Sequence, residues 1–121
     1  MKNLILLLSI TAFSFYGYSQ NAKVSGNLES LKKEVREGVF TFVLPESITE
    51  ADVNKSAQYY TDYFTVTYND NSKVANIKMK ENTPAARRVI IRFLLSSGVK
   101  SIDFQGKEHT INDFYEKFLE K

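Results

Sequence analysis

The 121-residue chain has no cysteine, no tryptophan, two prolines and a single histidine. Without cysteine it can hold no disulfide, thiolate zinc site or iron–sulfur cluster, and it has no cysteine nucleophile. One imidazole, His109, is too few for a three- or four-ligand zinc site unless carboxylates join it, and no His-Glu-x-x-His spacing occurs. No Gly-x-Ser-x-Gly turn marks a nucleophilic serine, so His109, just ahead of Thr110, is read as a packing residue. A surplus of one charge is also missing. The 16 Lys+Arg are interspersed with 14 Asp+Glu and form no basic stripe of the kind nucleic-acid binders carry. No apolar run reaches the roughly 20 residues that a membrane-spanning helix needs.

What is present is ordinary for a globular protein: 43% hydrophobic and 25% charged residues, in a length that suits one domain with one core. The first 19 residues are the exception. Lys2 is followed by Leu4, Ile5, Leu6, Leu7, Leu8, Ile10 and Phe13, an apolar block of about ten residues, the size of a signal-peptide core. Gly17 and Ser19 then supply a small-x-small pattern. Residues 1–19 are therefore read as a secretory signal cleaved after Ser19, which implies a periplasmic or extracellular protein with no stable membrane anchor after cleavage. No cysteine follows the block to carry a lipid. The remaining chain of about 100 residues can bury enough surface to fold without staples.

Gln20 to Asn27 is polar and reads as a flexible start. Leu28, Leu31 and Val35 recur at helical spacing up to Gly38, so residues 20–38 form an N-terminal segment with a short helix. Val39 to Leu44 alternates Phe40, Phe42 and Leu44 against Val39, Thr41 and Val43 until Pro45 stops it, the pattern of a strand. Thr49 and Asp52 form a capping box, Ile48 and Val53 a staple, and Val53, Ala57 and Tyr60 an apolar stripe, which predicts a helix to about Asp62. Phe64 to Tyr68 and Val74 to Lys80 alternate around Asn69, Asp70, Asn71 and Ser72 as a hairpin. Thr83 and Pro84 open a helix with Ala86, Val89, Ile90, Phe93 and Leu94 on its apolar face, ended by Gly98. Val99 to Phe104 is a further strand ended by Gly106, and Thr110 caps a last short helix with Ile111, Phe114, Tyr115 and Phe118.

The order strand, helix, strand, strand, helix, strand predicts an α+β, ferredoxin-like βαββαβ domain over residues 39–121, including the C-terminal helix. It would have a four-stranded antiparallel sheet with two helices on one face. The other face, with Thr41, Thr65, Thr67, Asn76, Lys78, Lys80, Ser101 and Asp103, would meet water.

From Val39 to Phe104 this spacing resembles the heavy-metal-associated domain of copper chaperones and metal-transporting ATPases. The resemblance places that family's Met-x-Cys-x-x-Cys loop on Leu44, Pro45, Glu46, Ser47, Ile48 and Thr49, followed by Val53 and Ala57. It implies the fold but not the chemistry. Cu(I) selects sulfur ligands, and the two thiolate positions are Glu46 and Thr49, while Met79 alternates into the core. A metal-free relative without cofactor is expected.

The other candidate groups each have a structural explanation. Glu46, Glu50 and Asp52 complement a helix dipole, and Asp70, Asn71 and Ser72 are turn residues that lack the distal Glu of a calcium loop. Arg87, Arg88 and Arg92 suit an acidic partner or a solvated helix face. Tyr59, Tyr60 and Tyr63 suit an interface or a helix edge. The expected function is a non-enzymatic binding domain whose partner is a protein or envelope component, not nucleic acid. It would bind through the polar sheet face, a free sheet edge or the tyrosine and arginine surfaces. The alternative is a small-ligand or metal-handling protein with changed ligands drawn from Glu46, Asp52 or His109.

Overall fold

The computed structural model describes residues 20–120, so the signal reading of residues 1–19 lies outside the described residues. The chain begins with strand β1 (Asn21–Val24) and helix α1 (Leu28–Glu37), continues through β2 (Val39–Val43), α2 (Glu50–Ala57), β3 (Phe64–Asn69) and β4 (Val74–Met79), and then α3 (Pro84–Ser97). β5 (Ser101–Phe104) and β6 (Lys107–Thr110) lead into α4 (Ile111–Phe114), which widens into a π-helical turn over Tyr115–Leu119. The fold is α+β, but the sheet is not the four-stranded antiparallel one expected. It has six strands in the order β3-β4-β2-β1-β5-β6 and is mixed, because β1 runs parallel to β5 and every other pair is antiparallel.

Both added strands correct the reading of the sequence. The supposedly flexible start is β1, wedged between β2 and β5 in the middle of the sheet, so the segment before residue 39 belongs to the domain. Ala22 and Val24 are buried and alternate with Asn21 and Lys23, and Ala22 is small enough to lie beneath the helices opposite Ile102. Gly106 follows the end of β5, as expected, but the sheet goes on into a strand that was not expected, β6. Gln105 and Gly106 adopt positive φ (53° and 74°), the two-residue primed turn that joins β5 to β6 with the twist of a hairpin.

The remaining elements follow from local chemistry. Asn27 and Ser30 form a reciprocal capping box on α1, as Thr49 and Asp52 do on α2, and Thr83 accepts from the Ala86 amide ahead of Pro84. Helix α2 stops at Ala57 and not near Asp62. Tyr59 and Tyr60 bond three residues back instead of four, which tightens the chain and turns the Tyr60 ring toward Phe64 and Phe93. Gly38 closes α1 at φ 71°, a left-handed conformation, and a Cβ there would lie 3.2 Å from the Asn82 side chain.

One face of the sheet, with Ala22, Phe40, Phe42, Phe64, Ile77 and Ile102, packs against Leu31, Val53, Ile90, Phe93 and Phe114 of the helices in a single core. The other face bears no helix among the described residues. There Thr41, Thr65, Thr67, Asn76, Lys78, Ser101 and Asp103 are exposed or half-exposed, as their alternation predicts. Thr41 donates to Asn76 at 2.9 Å and Asn21 to Asp103 at 3.2 Å across the strands. No described helix is long and apolar enough to cross a membrane.

Candidate binding surfaces

The β2–α2 loop, where the resemblance would put a metal, is committed to structure. Pro45 and Ile48 are buried, and the Ile48 amide donates to the Pro45 carbonyl. The Ile48 carbonyl accepts from both the Tyr68 hydroxyl and Lys73 Nζ, each at 3.1 Å. Thr49 Oγ1 accepts from the Asp52 amide while Asp52 Oδ2 accepts from the Thr49 amide, and this bond holds the Asp52 carboxyl below its ordinary pKa. Glu46 is exposed. His109 lies on β6, three strands away from β2, or about 14 Å at the usual strand spacing. Glu46, Asp52 and His109 are thus not gathered into one site, and no group of three such ligands occurs among the described residues.

His109 faces the helices and is buried at 7% exposure, edge-on to Phe114 and Phe118. Burial first, then Lys117 and Lys107, pushes its pKa below the ordinary 6.5, so the ring is neutral near pH 7. Three serines meet elsewhere: Ser56, Ser96 and Ser97 all donate to the Phe93 carbonyl, and the Ser56 and Ser96 hydroxyls touch. Their hydroxyls stitch α2 to α3 and have no imidazole beside them among the described residues.

The arginine group is split. Arg87 is not on a solvated face: it is buried, with Nε donating to the Leu119 carbonyl at 2.6 Å and Nη1 to Asn82 Oδ1 at 2.7 Å. Burial pulls its pKa down, yet a guanidinium stays charged. Asn82 Nδ2 in turn donates to the Val35 and Arg36 carbonyls that end α1. Arg88 and Arg92 are exposed and share a cleft with Asp62, Tyr63 and Glu81, and Arg88 lies 5.7 Å over the Tyr115 ring. Both signs line that cleft, so it presents no net basic site. In the β3–β4 turn, Asn69 Oδ1 accepts from the Asn71 and Ser72 amides and Asp70 Oδ1 pairs with Lys73 at 3.1 Å, so these oxygens hold the turn together.

Besides the uncovered sheet face, two surfaces stand open. The first is the β3 edge. Its pairing with β4 runs without a bulge from Phe64↔Met79 to Asn69↔Val74, and the strand holds no charge and no proline. The Lys80 amide donates to Tyr63 and the Met79 amide to Gly38, so even-numbered β4 residues bond toward β3 and odd-numbered ones toward β2. By the alternation of an antiparallel ladder, Val66 and Tyr68 then turn their N–H and C=O groups outward. Tyr59 and Tyr63, 71% and 44% exposed, stand at the turn that leads into this edge, whereas Tyr60 is packed inward.

The second is a groove of about 440 Å³ between α1 and the π-helical turn. Leu28, Leu31, Val35 and Phe118 form its apolar walls, and Lys32, Arg36 and Lys117 its rim. The α1 stripe is legible as an amphipathic face, but its opposite wall comes from the far end of the chain, and the basic rim at Lys32 and Arg36, one helical turn apart, was not singled out from the sequence. Compared with known proteins, the chain matches no family model, no curated protein and no solved structure.

Proposed function

We propose that the protein is a non-enzymatic, exported binding domain whose protein partner adds an extended strand along β3. The observation that carries this reading is the β3 edge: six residues, uncharged and unbulged, with exposed tyrosines at one end. Sheet edges left without a charge, a proline or a bulge are templates for a further strand, and β-augmentation uses such templates for affinity. Tyrosine adds large contact area at low entropic cost. The distance of His109, on β6, from Asp52 and Ser56, which share helix α2, supports a role without catalysis. From the heavy-metal-associated resemblance the proposal keeps only the relative order of β2 to β5, with β1 inserted, and none of the copper chemistry.

A photo-crosslinking residue placed at Thr67 in the full chain, expressed in its own cells, is expected to capture a discrete partner peptide of extended conformation. Val66→Pro removes an outward N–H without breaking the β3–β4 ladder, so it should abolish the crosslink while the variant, which loses some packing of the half-buried Val66, still melts cooperatively. A crosslink that survives Val66→Pro in the folded variant would refute strand addition.

A further inference from the structure

We infer that the groove between α1 and the C-terminal π-helical turn binds a free fatty acid, its acyl chain against Leu28, Val35 and Phe118 over the buried Leu31 and its carboxylate at the basic rim. This site is separate from the β3 edge and does not rest on that reading. The groove's volume of about 440 Å³ falls within the range of small-ligand sites, roughly 300–1,000 Å³. Its composition selects the chemistry. Three cations and no carboxylate line it, and none of Lys32, Arg36 or Lys117 is in an ion pair among the described residues. A neutral apolar ligand would partly desolvate that rim and offer it no counter-charge, whereas a single negative head answers it.

The geometry favours one chain over a peptide. Both walls are helical and their backbone groups bond within their own elements, so they have little to offer an extended strand. An amphipathic partner helix needs anchors from i to i+7, roughly 10 Å along its axis, while the wall facing α1 is a single turn, roughly 5 Å. A bilayer is also a poor fit, since of the apolar lining only Leu28 stands exposed, while Val35 and Phe118 are half-buried and Leu31 is 2% exposed.

The walls are held apart by fixed chemistry. Asn82 binds the carbonyls at the end of α1, Arg87 binds both Asn82 and the Leu119 carbonyl, and the Tyr115 hydroxyl donates to Pro84 at 2.9 Å. Both sides of the groove are therefore latched to the start of α3. A preformed recess avoids the cost of ordering on binding.

The test is a titration of the ¹⁵N-labelled full chain with laurate below its micelle concentration, beside dodecanol, butyrate and vesicles of anionic phospholipid. Laurate is expected to shift the amides of Leu28, Leu31, Lys117 and Phe118, with at least tenfold weaker binding for dodecanol and butyrate. Lys32→Glu with Lys117→Glu should weaken laurate by tenfold or more. Leu28→Asp, at a 41% exposed position that tolerates substitution, should weaken it independently if the double variant misfolds. The inference is overturned if laurate leaves these amides unmoved, if dodecanol binds equally well, if both variants bind like the parent, if only vesicles produce the shifts, or if the shifts depend on protein concentration without ligand, as a second copy in the groove would cause.

Discussion

Glu34 and His109 are two titrating side chains that the fold treats in opposite ways. Glu34 Oε2 accepts from the Thr41 amide at 3.2 Å from a half-buried position, and burial outweighs that bond, raising its pKa from 4.5 to about 7. Between those values the folded chain holds a proton that the unfolded chain has released, so Glu34 makes stability fall as pH rises from about 4.5 to 7. His109 does the reverse. Its folded pKa is depressed, so the unfolded chain binds the extra proton below pH 6.5, and stability falls as pH drops through that range. The two slopes oppose each other just below pH 6.5, so each masks part of the other in urea melts of the parent. Glu34→Gln should expose the histidine slope, with stability rising with pH, and His109→Phe, which suits its ring-lined niche, should expose the glutamate slope, with stability falling. Parallel profiles for the two variants would contradict this pairing. Neither behaviour is legible in sequence, because Glu34 stands among helix charges and the rings around His109 come from the following helix and turn.

Arg87 shows how elements are joined where the apolar core does not reach. Its guanidinium and the Asn82 amide tie the end of α1, the start of α3 and the C-terminal turn into one node without a carboxylate. Arg87→Met fills the space but leaves the Leu119 carbonyl and Asn82 Oδ1 without their charged donor. It should destabilise the domain by about 3 kcal/mol in denaturant melts. It should also loosen the groove, seen as faster amide exchange at Val35 and Leu119. A loss below about 0.5 kcal/mol would show that the node is dispensable. Elements defined by neighbouring residues were legible: the Asn27 end of α1 aside, the caps at Thr49, Thr83 and Thr110 lie where their spacing puts them, as do the Phe40–Phe42–Leu44 and Ile102–Phe104 faces. Elements defined by distant residues were not. β1 offers only Ala22 and Val24 as apolar signals, β6 has no aliphatic residue, and Arg87 looks like its exposed neighbours Arg88 and Arg92 until Leu119 is placed beside it. The β3 edge and the groove share that property, since an edge or a wall is set by what does not, or does, pack against it.

At the scale of the molecule, β1 is, among the described residues, the only strand linking the β3-β4-β2 half of the sheet to the β5–β6 hairpin. A chain that starts after Val24 should lose its cooperative thermal transition and its dispersed amide spectrum, because the core splits between Phe42 and Ile102. A sharp melt with β2 paired directly to β5 would show instead that the sheet can close without it. Its position also sets the order of assembly. β1 is made before every other strand, yet its parallel neighbour β5 follows some eighty residues later, as the Asn21–Asp103 contact spans 82 positions. Contacts so far apart in the chain slow folding, since the loop must be closed before they form. The growing polypeptide therefore cannot complete its central seam until β5 has left the ribosome. Were the chain exported as proposed, it would stay threadable for that interval.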